Sequence, residues 1–209
     1  GLTVAIVPTM GNLHSGHLSL LGRAKDLADR TIVSIFVNPI QFGVGEDYDS
    51  YPSTIKEDLQ KLKMAGVDAA FMPDLEELYP GGTEVDTRIT VPEISDILCG
   101  EYRKGHFSGV ATVVAKLLIN SMPDYALFGE KDFQQVLVIR RMVIDMLLPV
   151  QIVSMPTCRE TDGLAMSSRN RYLSPEERRK SPAIYSALKF AVERLRKGTF
   201  SVEEIEQEG

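Results

Sequence analysis

Short apolar segments alternate with longer amphipathic segments along most of this chain. The apolar segments are rich in valine and isoleucine and several lack a polar alternation, which is typical of buried parallel strands. They predict strands at Thr3–Val7, Thr31–Val37, Ala69–Met72, Ile89–Val91, Tyr125–Phe128 and Gln151–Met155. Helical periodicity between them predicts helices at about Gly16–Asp29, Thr54–Ala65, Val110–Ile119 and Phe133–Met146. This alternation predicts an α/β fold in which helices cover both faces of a mostly parallel sheet.

Two helix starts have a recognisable capping pattern. Thr54 and Glu57 are spaced as a capping box at the start of the second predicted helix. Ser174-Pro175-Glu176-Glu177 places serine at the N-cap, proline at the first helical position and glutamate three residues after the serine. A basic, mainly helical segment is predicted from there to about Lys197, and an acidic segment, 203–208, follows it.

The composition is that of an ordinary globular protein of 209 residues, with 44% hydrophobic and 25% charged residues. The net charge of −6 and the isoelectric point near 5.2 argue against a general nucleic-acid binder. No apolar run approaches membrane-spanning length and no basic-then-apolar leader precedes the first strand, so no membrane partner is expected. The dispersed Cys99 and Cys158 provide no disulfide framework, which favours a cytoplasmic location.

The first predicted strand leads into a glycine-containing corner, Met10-Gly11-Asn12-Leu13-His14-Ser15-Gly16-His17. At a strand-to-helix corner, free backbone N–H groups and the helix dipole favour an anion such as a phosphate. His14 and His17 lie three residues apart, on one side of the first helical turn. Histidines and cysteines show no zinc-like spacing in this chain. Taken alone, the corner is equally consistent with a phosphate site and with a structural turn.

Polar residues also follow the second predicted strand and precede the third predicted helix. In Phe36–Phe42, Asn38-Pro39 ends the strand. The amide of Gln41 then either binds a small polar substrate, as donor and acceptor, or is merely solvated. The loop Glu101–Val110 either lines a pocket or lies on the surface.

Two further loops carry positive charge. Gly129-Glu130-Lys131-Asp132 follows a predicted strand; its lysine suits phosphate oxygens, and Asp132 suits a metal-bound water or the orientation of that lysine. Gln135 is a candidate substrate contact. Met166-Ser167-Ser168-Arg169-Asn170 offers two hydroxyls and a guanidinium, which suit a triphosphate. The alternative for the first loop is a charged turn that opens a helix, and for the second a solvated linker before the helix that starts at Ser174. Loops that follow strands of one sheet can, however, converge at its carboxyl edge.

Taken in order, these motifs resemble those of the pantothenate synthetase (pantoate–β-alanine ligase) family, within the HxGH-type nucleotidyltransferase superfamily. The resemblance rests on Pro8–His17, Phe36–Phe42, Gly105–Val110, Gly129–Gln135 and Asp162–Asn170. It implies a Rossmann-like, doubly wound domain over residues 1–168 that binds nucleotide and pantoate. It further implies that residues 169–209 begin an incomplete, smaller C-terminal lid domain, and that the protein is a cytoplasmic homodimer of the coenzyme A pathway. Full activity would then require a lid that excludes water from the site.

The resemblance also implies a two-step reaction, in which the pantoate carboxylate attacks the α-phosphate of ATP and β-alanine then displaces AMP from pantoyl adenylate. It assigns catalysis to His17, His14, Lys131, Ser167, Ser168 and Arg169, with His17 as a proton donor. It assigns ATP binding to Met10, Gly11, Asn12, Leu13, His14, Ser15, Gly16, His17, Gly129, Glu130, Lys131, Asp132, Cys158, Met166, Ser167, Ser168 and Arg169. Gln41 and Gln135 would bind pantoate, and Gln41 would also bind β-alanine. Mg²⁺ would accompany ATP without a dedicated protein site.

The sequence leaves two alternatives to this ligase activity open. One is a related nucleotidyltransferase that adenylylates another acid or a phosphate, because the histidine pair alone indicates only the broader superfamily. The other is a chain that binds ATP and pantoate without turnover.

Overall fold

A computed structural model gives the fold of the chain and describes residues 1–198 and 201–208. Five strands form one sheet in the order β3-β2-β1-β4-β5, and every neighbouring pair is parallel. The strands are β1 Val4–Thr9, β2 Arg30–Ile35, β3 Ala69–Phe71, β4 Tyr125–Gly129 and β5 Gln151–Met155. This is the strand order of a Rossmann-like sheet, which runs outward in both directions from β1. The predicted parallel α/β fold is therefore confirmed.

Four helices of the described residues coincide with the four predicted periodic segments, with shifts of a few residues at their ends, and two more lie in the helical segment predicted after Ser174. Three short helices, at Leu75–Leu78, Cys99–Tyr102 and Val202–Glu208, were not predicted. All helices of the described residues are numbered in chain order. They are α1 Ser15–Leu27, α2 Ile55–Met64, α3 Leu75–Leu78, α4 Cys99–Tyr102, α5 His106–Ser121, α6 Phe133–Asp145, α7 Pro175–Lys180, α8 Ala183–Lys197 and α9 Val202–Glu208. Short 3₁₀ turns occupy Pro39–Gln41, Glu130–Asp132 and Ser168–Tyr172. The predicted cap of α7 is confirmed, because the Glu177 N–H donates to the Ser174 hydroxyl and the Ser174 N–H donates to the Glu177 carboxylate.

Both faces of the sheet are buried, and successive strand residues alternate between them. One apolar cluster combines Ala5 and Val7 of β1 with Leu20 and Leu21 of α1 and with Leu62 of α2. The other cluster lies on the opposite face, where the intervening β1 residue joins apolar residues of α5 and α6, namely Ile6, Val110, Val114, Leu117, Val136 and Ile139. The continuous apolar strands of the sequence reflect this two-sided burial.

Two local predictions are wrong. Ile89–Val91 forms no strand, because both backbone polar groups of Ile89 are bonded to α5 side chains: its N–H donates to the Thr112 hydroxyl and its carbonyl accepts from Ser108. Thr54 precedes α2 but makes no side-chain cap. Its hydroxyl instead donates to the carboxylate of Asp58, four residues later and 3.1 Å away, so that a different local contact replaces the capping box.

The chain divides into two compact units, Gly1–Pro156 and Thr157–Gly209. The first contains the sheet, and the second begins earlier in the chain than the boundary predicted after residue 168. The roles assigned to the two predicted domains stay predictions. Among the residues that the structure describes, no helix is both long enough and apolar enough to cross a membrane.

Candidate active site

The carboxyl ends of β1 and β4 are neighbours at the topological switch point, where the order of the strands reverses. The corner Met10–His17, called here the histidine corner, follows β1, and Gly129–Asp132 forms the end of β4 and the turn after it. Ligands of parallel α/β sheets bind at such a switch point. A cleft of about 130 Å³ opens nearby, between the ends of β1 and β2 and the start of α2.

The two histidines cap α1 with their own side chains. Nδ1 of His14 accepts from the Gly16 N–H at 3.1 Å, and Nδ1 of His17 accepts from the His14 N–H at 3.3 Å. The imidazoles thus form a capping box, in which serine and glutamate are more usual. A neutral imidazole that accepts at Nδ1 carries its proton on Nε2. Each neutral ring therefore presents an Nε2–H donor on the side away from the helix backbone.

His17 is neutral at physiological pH. Desolvation of its partly buried ring is the main cause that lowers the pKa of His17 from 6.5 to about 3. Repulsion from His14 when that ring is protonated, and from the ammonium groups of Lys131 and Lys61, lowers the same pKa further, in that order. The ring centroids of the two histidines are 4.1 Å apart. His17 is consequently a hydrogen-bond donor surrounded by positive charge, which is a suitable environment for an anion.

The backbone N–H groups of the histidine corner are largely engaged within the protein. Asn12 and Leu13 donate to the carboxylate of Asp58, at 2.7 and 2.8 Å. Gly11 donates to the hydroxyl of Thr9. The prediction of free N–H groups at this corner is wrong for Gly11, Asn12 and Leu13, because side chains already accept from them. Donors for an anion at this corner are therefore the imidazoles rather than these backbone groups.

Asp58 and Lys61 of α2 fix the conformation of this corner. Asp58 is fully buried, and Lys61 donates from its ammonium to the carbonyl of Leu13 at 2.6 Å. These contacts hold Gly11 and Asn12 at positive φ angles of 80° and 50°. Neither α2 residue was predicted from the sequence to belong to the site. The available indication was a carboxylate one turn before Leu62, on the apolar face of an amphipathic helix.

The turn after β4 presents a lysine beside its own carboxylate. Nζ of Lys131 lies 3.1 Å from Oδ1 of Asp132. The carboxylate of Glu130 accepts from the hydroxyl of Ser154 on β5 at 2.8 Å, which ties the turn to the sheet. In α6, the Gln134 amide bonds to the loop before α4. The Gln135 side chain makes no hydrogen bond within residues 1–198 and 201–208.

Gln41 lies in a second polar cluster, called here the glutamine pocket, which consists of Asn38, Gln41, Tyr79, His106 and Gly109. Asn38 Nδ2 donates to Oε1 of Gln41 at 3.1 Å and to the Gly109 carbonyl at 3.2 Å. The Tyr79 hydroxyl donates to Asn38 Oδ1 at 2.7 Å. Nε2 of Gln41 points at the sulfur of Met10, 3.3 Å away.

The backbone of Gln41 is held by α5 and the residues before it. His106 Nδ1 donates to the Gln41 carbonyl at 2.7 Å, and its Nε2 accepts from Arg103 at 3.0 Å. Arg103 forms a bidentate pair with Glu46, which lowers the pKa of that carboxyl. A Cβ at Gly109 would lie 2.4 Å from the Ile40 carbonyl and 2.7 Å from Gln41 Cα, so only glycine permits this approach. The loop Glu101–Val110 thus contributes to a polar cluster.

The remaining predicted residues belong to the second unit. Met166 donates from its N–H to the Cys158 carbonyl at 2.9 Å, in a hairpin that closes through a bridge between Arg159 and Ala165. The hairpin turn includes Gly163 at a φ of 96°. It is packed against Tyr185, over whose ring the Arg159 guanidinium lies at 3.8 Å.

The serine–arginine segment after this hairpin begins a 3₁₀ turn. The Ser167 hydroxyl accepts from the Arg169 N–H at 3.3 Å. Ser168 is buried and Arg169 is exposed. Asn170 donates to the Ala165 carbonyl at 3.0 Å. The turn therefore has a defined backbone and an accessible guanidinium.

Comparison with known proteins identifies the relatives of this chain. The family model for pantoate-beta-alanine ligase matches residues 1–208. This chain belongs to the pantoate–β-alanine ligase family. Within that family, a pantothenate synthetase of Pseudomonas entomophila (strain L48) is 56% identical over 198 residues, which are 95% of this chain and 69% of that protein.

Solved structures of pantoate–β-alanine ligases have the same fold. Pantothenate synthetase from Thermus thermophilus superposes with a TM-score of 0.93 at 50% identity, over 97% of this chain and 73% of that one. The pantoate-beta-alanine ligase of Francisella tularensis, complexed with beta-gamma ATP and beta-alanine, gives 0.85 at 43% identity, over 90% and 72%. The fold and family implied by the sequence motifs are confirmed.

Proposed function

We propose that this chain catalyses the ATP-dependent ligation of pantoate to β-alanine through pantoyl adenylate, releasing AMP and pyrophosphate. The observation that carries this proposal is the pair of imidazole donors at the sheet's switch point, within the field of Lys131 and Lys61. Membership of the pantoate–β-alanine ligase family supports the choice of acid and amine.

In the first step, a carboxylate oxygen of pantoate forms a bond to the α-phosphorus of ATP, and the bond from that phosphorus to the bridging oxygen of pyrophosphate breaks. Two anions must approach, so positive groups and preorganised donors lower the barrier. The Nε2–H groups of His14 and His17 and the ammonium of Lys131 serve this purpose. Because His17 is neutral, it stabilises the phosphates as a hydrogen-bond donor and is not a stored imidazolium acid.

The nucleotide occupies the histidine corner and the turn Gly129–Asp132. The backbone of Cys158, the residue Met166, the hydroxyls of Ser167 and Ser168 and the guanidinium of Arg169 are further proposed contacts of the nucleotide. ATP is used as its Mg²⁺ complex. No group of three or more His, Cys, Asp or Glu residues in the described part of the chain is arranged to hold a metal ion. The Mg²⁺ is therefore proposed to arrive as part of the substrate, bound chiefly to phosphate oxygens.

The amides of Gln41 and Gln135 bind pantoate. In the second step, the β-alanine amine attacks the acyl carbon of pantoyl adenylate, the bond from that carbon to the AMP oxygen breaks, and the nitrogen loses its protons as the amide forms. Gln41 also contacts β-alanine. Residues 1–168 act as the nucleotide- and pantoate-binding domain, and residues 169–209 begin a lid that excludes water. The protein is further proposed to act as a cytoplasmic homodimer.

An isotope experiment tests the reaction. The chain is incubated with MgATP, β-alanine and pantoate labelled with ¹⁸O in its carboxylate. Pantoyl adenylate transfers one labelled oxygen to AMP, so mass spectrometry should find ¹⁸O in the AMP phosphate, and AMP release should require pantoate. ADP formation, or AMP without the label, would contradict the mechanism.

Two further measurements separate the alternatives. Pyrophosphate–ATP exchange with a panel of carboxylic acids and phosphate esters should be fastest with pantoate; a faster acid would indicate another nucleotidyltransferase. Calorimetric binding of ATP and pantoate with AMP release at background would indicate a chain that binds its ligands without turnover.

A further inference from the structure

We propose that the Tyr79 hydroxyl, acting through Asn38, sets the hydrogen-bond polarity of Gln41, so that Gln41 offers pantoate an N–H donor. This inference rests on the proposed contact between Gln41 and pantoate. Tyr79 is a positioning residue, since its hydroxyl bonds to Asn38. The inference concerns which end of the Gln41 amide the substrate meets.

The orientation of the Asn38 amide is determined by groups that have only one hydrogen-bonding role. A backbone carbonyl only accepts, so the Gly109 carbonyl, 3.2 Å away, requires the NH₂ end of Asn38. The opposite end, Oδ1, then faces the Tyr79 hydroxyl at 2.7 Å and needs a donor there. Asn38 is almost fully buried, so water cannot replace either partner.

Tyr79 is suited to act as that donor. Its side chain is almost fully buried, and burial raises the pKa of the phenol well above its ordinary value, so the hydroxyl keeps its proton. The ammonium of Lys116 lies 4.2 Å from the ring centroid, where a cation stabilises the position of the ring. The phenol is thus held in place and protonated.

The orientation of the Asn38 amide in turn fixes the orientation of the Gln41 amide. Because Asn38 presents NH₂ on this side, Gln41 must turn its carbonyl oxygen Oε1 toward it, at 3.1 Å. Nε2 of Gln41 then lies on the side away from Asn38, where its contact at 3.3 Å is the Met10 thioether. Sulfur is a weak acceptor, so a substrate oxygen would be a better partner. The pocket accordingly favours ligands with an acceptor oxygen, such as a carboxylate or an alcohol.

The test removes only the hydroxyl. Tyr79→Phe leaves Asn38 Oδ1 without its donor, so that only the Gly109 carbonyl still orients the Asn38 amide, and the orientation of Gln41 is held less firmly. We expect the KM for pantoate to rise about tenfold, as for the loss of one hydrogen bond of about 1.4 kcal/mol. The KM for ATP should change less than about twofold, which is the usual error when the effects of independent substitutions are compared. The matched control is Tyr125→Phe, because Tyr125 lies at the opposite, amino-terminal end of β4.

A double-mutant cycle shows whether Tyr79 acts through Gln41. In a Gln41→Ala background, Tyr79→Phe should cost little further pantoate affinity, since there is no amide left to orient. Equal costs of Tyr79→Phe in both backgrounds would overturn the inference, as would an unchanged pantoate KM in the single variant. The proposed function fails separately, if the unaltered chain makes no labelled AMP.

A second variant covers the case in which Tyr79→Phe does not fold. Replacement of Tyr79 by 4-fluorophenylalanine fills the space of the hydroxyl but cannot donate a hydrogen bond. It should raise the pantoate KM as Tyr79→Phe does, and a folded fluoro variant with an unaltered pantoate KM would overturn the inference.

Discussion

The histidine corner and the glutamine pocket follow adjacent strands, yet their reactive side chains are oriented in different ways. In the corner, each imidazole bonds to a backbone N–H two or three residues away. In the pocket, the groups that orient Gln41 and its partner Asn38 are 41, 65 and 71 residues distant along the chain. The corner orients its donors locally, whereas the pocket depends on the packing of α5 and of the segment that carries Tyr79.

The histidine corner and the glutamine pocket also differ in charge. The corner combines a buried carboxylate, two lysines and a histidine whose pKa is lowered to about 3. The amides of the glutamine pocket are oriented by neutral groups, a phenol and a backbone carbonyl. A charged phosphate and a small hydroxy acid are accordingly assigned to sites of different electrostatic character. Substitutions at each site should therefore affect different substrates.

The largest effect is expected from removal of charge beside the corner. Lys131→Ala should lower turnover by about 10²–10³-fold, the range for one lost transition-state donor. The pKa of His17 should also rise, since the Lys131 charge contributes to lowering it. Steady-state assays of AMP release and NMR titration of the imidazoles measure both. Lys63→Ala, an exposed lysine of α2, is the matched control, and unchanged turnover in a folded Lys131→Ala protein would remove Lys131 from the catalytic residues.

Gly109→Ala tests the long-range support of the pocket. The new Cβ would meet the backbone of residues 40 and 41 at 2.4 and 2.7 Å, so Gln41 must move. We expect kcat/KM for pantoate to fall by about 10–100-fold, because displaced binding groups of this kind cost on the order of 1–3 kcal/mol. The control is Gly22→Ala in α1, where an added Cβ meets nothing within 4 Å. Equal pantoate kinetics in the two variants would show that the close approach does not position Gln41.

A smaller effect is expected when the buried anchor of the corner is changed. Asp58→Asn replaces one acceptor oxygen by NH₂, which must then face the N–H of Asn12 or Leu13. The free energy of unfolding should decrease by about 1–3 kcal/mol, the cost of an unsatisfied buried donor. Chemical denaturation measures the loss, and Asp26→Asn on the exposed surface of α1 is the control. A rise in the pantoate KM without a rise in the ATP KM would contradict the separation of the two sites.

The effect that is smallest per pH unit concerns acid stability. His17 has a pKa of about 3 when folded and 6.5 as its ordinary value, so below pH 6.5 the unfolded chain takes up a proton that the folded chain does not. Stability should therefore decrease as the pH falls from 6.5 toward 3, with this contribution fully present above 6.5. His17→Gln keeps an acceptor for the His14 N–H and should reduce the slope by up to ~1.4 kcal/mol per pH unit. Identical slopes in denaturation series would contradict the lowered pKa.

The sequence predicted most elements because their causes are local. The valine-rich segments form the five strands, and the four segments with amphipathic periodicity form α1, α2, α5 and α6. Ser174 caps α7, as the spacing of Ser174 and Glu177 indicates. It mispredicted the segment Ile89–Val91, where hydroxyls of α5 take the backbone bonds that a strand would use. Asp58 escaped the sequence analysis because its partners are backbone groups more than 40 residues earlier in the chain.

The sequence by itself determined the sheet, its carboxyl-edge loops and the family, because periodicity, capping and short motifs are properties of neighbouring residues. The tertiary structure alone decided which donors the site offers. It placed Asp58 against the N–H groups of Asn12 and Leu13, so that these two backbone donors are already bonded, whereas the imidazoles keep Nε2–H donors. It also brought Tyr79 and Gly109 to Asn38, and so turned the Gln41 amide. A hydrogen bond has a direction that depends on both partners, and distant partners meet only in the folded chain.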